Sequence, residues 1–151
     1  MALINLPFGT IWKESDLYHF NEKRFIKVID DALGNVSKIE KTVDVLFEKG
    51  FKNLFLIGVG GTYSHFLPIQ FISGQLSELP VHAVQAAEFI LQGNKQFSGD
   101  SLCVFCSRSG DTREIVDAIQ YCNNAGATTL AFVCHADTPV CMESTHHFVS
   151  F

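Results

Sequence analysis

The sequence predicts an α/β protein, a doubly wound parallel sheet in three layers with helices ahead of it. Three observations carry that reading. Short apolar runs recur at Asn53–Ile57 (NLFLI), Leu79–Val84 (LPVHAV), Leu102–Cys106 (LCVFC) and Thr128–Cys134 (TTLAFVC), each of a length that suits a strand buried on both faces. Segments with helical spacing separate them, and such alternation implies parallel strands covered by helices on both sides. Two of the runs end in turns rich in glycine or hydroxyls, GVGGTYS and SRSGDT, each feeding directly into a helix.

Taken in order, residues 1 to about 20 show no clean periodicity and contain Pro7 and Gly9. They read as an irregular arm that packs Phe8 and Trp12 on a neighbour. From Asn21, the spacing of Phe25, Ile26, Ile29 and Leu33 predicts a helix that stops at Gly34. A second helix follows, with Val36, Ile39, Val43, Leu46 and Phe47 on one face and a stop at Gly50. Beyond the first strand and its glycine turn comes a helix over YSHFLPIQFISGQL, with Pro68 inside it. The second strand leads into a short helix at Gln85–Phe89, with Glu88 in its first turn. Gly93–Asp100 is a polar turn. The helix after SRSGDT runs over 112–124 and stops at Asn123–Gly126. Asp137-Thr138-Pro139 reads as a cap with proline opening a short helix, and His146 to Phe151 is a last strand.

Composition bounds the function. The 151 residues fit one domain with a sizeable core. A hydrophobic share of 47% with 18% charged residues describes a folded, soluble chain. The net charge of -5, without a basic stripe, argues against nucleic acid as a partner. No apolar run reaches the roughly 18 residues of a membrane span. Five cysteines, an odd number with no secretory signal, point to reduced thiols and a cytoplasmic location. Cys103 and Cys106 form a CxxC, but on a strand an i, i+3 pair points to opposite faces, which disfavours chelation. His146-His147 lacks a cysteine pair at zinc-finger spacing, so no metal site is expected. Fourteen phenylalanines suggest a subunit interface as well as a core, hence a homo-oligomer.

Chemistry concentrates at the two turns. Ser107-Arg108-Ser109-Gly110-Asp111-Thr112 offers hydroxyls, backbone N–H groups and a helix N-terminus at one point, which suits a phosphate. A helix cap by Ser109, Asp111 or Thr112, completed by Glu114, accounts for one hydroxyl. Five polar groups and a glycine in six positions exceed one cap. The other turn, Gly58-Val59-Gly60-Gly61-Thr62-Tyr63-Ser64, lets backbone approach a ligand closely. It lacks the third glycine of a dinucleotide fingerprint, because Tyr63 stands there, and it lacks the Gly-Lys-Ser/Thr ending of a Walker A loop. Glu88 lies just past a strand end, where α/β proteins place reactive groups. A solvated first-turn carboxylate is the other reading of Glu88.

In this order, and separated by a strand and Ala87-Glu88-Phe89, the two turns resemble those of a sugar isomerase (SIS) domain, a flavodoxin-like fold. The resemblance covers about Val36 to Phe151. The Ser-x-Ser-Gly-x-Thr-x-Glu pattern at 107–114 is its specific part. Gly60-Gly61-Thr62-Tyr63 and Ala87-Glu88-Phe89 look closest to the fructosamine-6-phosphate deglycases, relatives of the isomerase half of glucosamine-6-phosphate synthase. The resemblance implies that Gly60, Gly61 and Thr62, with the hydroxyls of Ser107, Ser109 and Thr112 and the amides around Arg108 and Gly110, hold a sugar phosphate. It also implies two such units per chain in the larger members, with a base and an acid, a glutamate and a histidine, in the second unit. The expected organisation is an arm and helix over 1–34 and one unit over 35–151, the first of two in a longer protein.

The activity so implied is aldose–ketose isomerisation or deglycation of a phosphorylated sugar or sugar–amine adduct. The chemistry is proton abstraction through an enediol or enolamine, with Glu88 the candidate catalytic carboxylate and no cofactor required. The rival reading is a phosphosugar-sensing regulatory domain without chemistry. Its usual basic DNA-binding helices have no counterpart in residues 1–34, where Lys13, Lys23, Arg24 and Lys27 are balanced by acids.

Overall fold

The computed structural model describes the backbone of residues 3–5 and 11–13, and residues 21–150 in full. Its elements are β1 (Leu3–Asn5), β2 (Ile11–Lys13), α1 (Glu22–Lys49), β3 (Asn53–Gly58), α2 (Gly61–Leu76) and β4 (Val81–Gln85). They continue with α3 (Ala86–Gln92), β5 (Ser101–Ser107), α4 (Arg113–Asn124), β6 (Thr128–Val133), α5 (Pro139–Glu143) and β7 (His146–Val149). β1 and β2 pair antiparallel, so part of the arm is a ribbon rather than irregular chain. The packing expected of Phe8 and Trp12 lies outside the described residues.

β3 to β7 form one sheet in the order β4-β3-β5-β6-β7, every pair parallel. Alternation along the strands splits the core. Phe55, Ile57, Cys103, Phe105, Ala131 and Val133 face α3, α4 and α5, meeting Phe89, Ile115, Ala118, Ile119 and Val140. Leu54, Leu102, Val104, Leu130, Phe132 and Phe148 face the other way, against Ile39 and Leu46 of α1. The expected three layers are therefore present. No helix among the described residues is long and apolar enough to cross a membrane.

The largest departure from expectation is α1. Gly34 does not stop it, and one helix of 28 residues runs where two were expected. The apolar stripe of the first segment continues in phase into the second, although Phe25, Ile26, Ile29 and Leu33 stay exposed. A glycine in a helix interior costs only about 0.5–1 kcal/mol. Asn35 fastens the passage, donating from Nδ2 to the Val149 carbonyl at 3.0 Å and to the Asp31 carbonyl at 3.1 Å. The boundary expected between 34 and 35 thus falls inside a helix. α2 continues through Pro68, and Phe66 is its one buried residue.

Candidate functional site

The strand order decides where a ligand can sit. β3 is flanked by β4 on one side and β5 on the other, so connections leave β3 and β5 in opposite directions. A crevice opens between their C-terminal ends at such a switch point. Both turns singled out in the sequence lie there. They line one cavity of about 510 Å3, with Val59 and Thr62 from the β3 side, and Cys106, Ser107, Arg108, Ser109, Thr112 and Ile115 from the β5 side.

The β5 turn is built from its own hydrogen bonds. The Gly110 N–H donates to Ser107 Oγ at 3.0 Å, and Ser107 Oγ lies 3.4 Å from Thr112 Oγ1. Gly110 adopts φ 76°, and a side chain there would collide with Thr138, so only glycine fits. Its carbonyl accepts from the Val140 N–H at 3.0 Å. Thr112 is the N-cap of α4, yet its side chain makes no cap bond. Among the described residues the first-turn N–H groups of Arg113 and Glu114 have no partner either. The hydroxyl-rich turn therefore does not spend its groups on capping, and the positive end of α4 faces a cavity edged by Ser107, Ser109 and Thr112.

The β3 turn is closed differently. Thr62 Oγ1 donates to the Val59 carbonyl at 2.6 Å and accepts from the Val59 N–H at 3.3 Å. Its hydroxyl thus closes the turn while its side chain edges the cavity. Gly60 is the N-cap of α2 and Gly61 its first residue. Neither lines the cavity, and nor does Gly110. A Cβ on Gly58 would lie 2.6 Å from the Tyr63 nitrogen, so this glycine, outside the expected site set, is what lets α2 start so close to the strand.

Glu88 is exposed in the first turn of α3, after β4, and does not line the cavity. His135, which sequence reasoning missed, does line it. It lies two residues past the end of β6, and the rule placing ligands at the C-terminal ends of strands would have marked it. Cys106 is half-buried, and burial, then the neighbouring Cys134, push its thiol up to about 11. It stays protonated at neutral pH and is a poor nucleophile or metal ligand. Cys103 neighbours Cys122 instead, and that thiol together with burial raises its pKa. The two halves of the CxxC thus have separate surroundings. No group of three or more potential metal ligands occurs among the described residues.

Known proteins share this fold. A protein of Salmonella typhimurium LT2 assigned as a phosphosugar isomerase superposes with a TM-score of 0.66 at 26% identity, over 71% of this chain and 32% of that one. Fructosamine deglycase FrlB of Bacillus subtilis is 25% identical over 115 residues, 73% of this chain and 35% of the deglycase. The human glutamine–fructose-6-phosphate aminotransferase [isomerizing] 2 is 33% identical over 79 residues, 52% of this chain and 11% of that enzyme. The chain thus spans about a third or less of each of these relatives. The SIS domain profile matches residues 49–150, from the end of α1 through β7. The sheet, its switch-point cavity and both turns all fall inside that match, and the chain belongs to the SIS domain family.

Proposed function

We propose that this unit binds a phosphorylated sugar, or a sugar–amine adduct, with its phosphate against Ser107, Ser109 and Thr112. One observation carries the reading: hydroxyls from the β5 turn and the uncapped first turn of α4 meet in a single cavity at the switch point. A phosphate can use both. Held there, it fixes the register of carbons farther along the ligand, the usual role of remote binding contacts.

The reaction this serves is isomerisation or deglycation by proton abstraction next to a carbonyl or imine. Glu88 is the carboxylate assigned to it, at the same edge of the sheet, and the remaining acid–base groups come from a second unit of a longer protein. This chemistry calls for no metal or organic cofactor. A binding-only, regulatory role is the second reading. It is favoured by the absence of any Asp or Glu among the described residues lining the cavity.

Thermal shift with sugar phosphates, plain sugars and NAD tests the proposal, and stabilisation is expected from the phosphorylated set alone. Ser109→Ala should weaken sugar-phosphate binding about 10-fold, since a hydrogen bond to a charged group contributes roughly 1.5–3 kcal/mol. Its melting temperature without ligand should stay put. A variant that melts early but binds unchanged would return the turn to mere helix capping. In the complete protein, Glu88→Gln should abolish turnover if Glu88 takes the proton, and should leave function intact if the unit only binds.

A further inference from the structure

A second cavity, of about 350 Å3, adjoins the first, and this volume falls in the range of small-molecule sites. Arg24, Lys27 and Val28 of α1 line one side of it, and Arg108, Cys134, His135 and Ser150 line the other. Arg108 and His135 also line the hydroxyl cavity, so the two spaces share part of their wall. Three cations and an imidazole thus surround the smaller cavity, with no carboxylate among its described lining residues.

That charge is out of keeping with the chain, whose net charge is -5. The ion pairs among the described residues engage Lys52 and Arg113 and leave Arg24, Lys27 and Arg108 without a carboxylate partner. Like charges gathered at one concavity raise the local potential and attract an anion. The guanidinium groups add planar donors that match phosphate and carboxylate oxygens.

We infer that this cavity receives a second anionic group, phosphate or carboxylate, carried on the same ligand whose phosphate sits against Ser107, Ser109 and Thr112. The inference rests on the phosphosugar reading and narrows it to a sugar phosphate negatively charged at both ends. It also makes α1 part of the site through Arg24 and Lys27, on a segment that precedes the family match.

Calorimetric titration of this chain with fructose 6-phosphate, fructose 1,6-bisphosphate and 6-phosphogluconate tests it. The second anion should tighten binding about tenfold over fructose 6-phosphate for at least one of the other two, and which one gains identifies the group as phosphate or carboxylate. Arg24→Ala combined with Lys27→Ala should erase that advantage and leave fructose 6-phosphate binding within about twofold of its original value. A second anion that adds nothing, or an advantage that survives the double variant, overturns the inference while fructose 6-phosphate still binds. If none of the three ligands binds, the phosphosugar reading falls with it.

Discussion

Gly110 shows how much of the site rests on single residues. It holds a positive φ, its N–H fixes Ser107 Oγ, and its α-carbon leaves no room before Thr138. Gly110→Ala should therefore destabilise the fold by ~2–4 kcal/mol, combining left-handed strain with a clash. Chemical denaturation measures that loss directly, and a cost below about 0.5 kcal/mol would show the turn to be free to rearrange. At this scale the sequence was legible where chemistry is local. Ser107, Ser109 and Thr112 announce themselves by type and spacing, and all three line the cavity. His135 was passed over because the neighbouring Asp137-Thr138-Pro139 reads as a helix cap, although its place just past a strand end would have marked it. The pairing of β5 with β6, Ser107 opposite Val133, brings it to the same cavity.

Among the elements, α1 is where local signals misled. A glycine preceding an asparagine resembles a helix stop, but the stripe continues and Asn35 binds the end of β7. A methyl group added at Gly34 would have no heavy atom within 4 Å. Gly34→Ala should therefore stabilise the protein by about 0.5–1 kcal/mol, read as a raised denaturation midpoint with unchanged slope. A destabilised variant would argue for two helices with a bend between them. The strands were easier to read, because runs such as LCVFC are apolar on both faces and the sheet buries both. α2 posed a different problem, since its apolar residues surround the helix instead of forming a stripe. Leu67, Ile69, Phe71, Ile72 and Leu76 remain exposed on it.

For the whole molecule, that exposure supports the homo-oligomer expected from the phenylalanine load. A helix that is apolar all round belongs in an interior, and full burial of a large apolar side chain contributes roughly 1.5–3 kcal/mol. We propose a second copy as the partner of α2, through a self-complementary contact. Light scattering on this chain should give a dimer or larger at micromolar concentration, and Phe71→Asp should shift it toward monomer while leaving the circular dichroism spectrum unchanged. A folded monomer in both proteins would end that idea. The layered architecture was legible from the alternation of elements. The site's location needed the strand order, which no single segment encodes.

The contact between Gly110 and the β6–α5 connection has a mechanical consequence. The Val140 N–H donates to the Gly110 carbonyl, Thr138 occupies the space that a side chain on this glycine would need, and His135 stands near the start of the same connection. The hydroxyl turn and the connection that carries His135 are thus tied together by that one bond. A change in the length of the 134–138 connection therefore reaches the turn that carries Ser107 and Ser109 through the Val140–Gly110 bond.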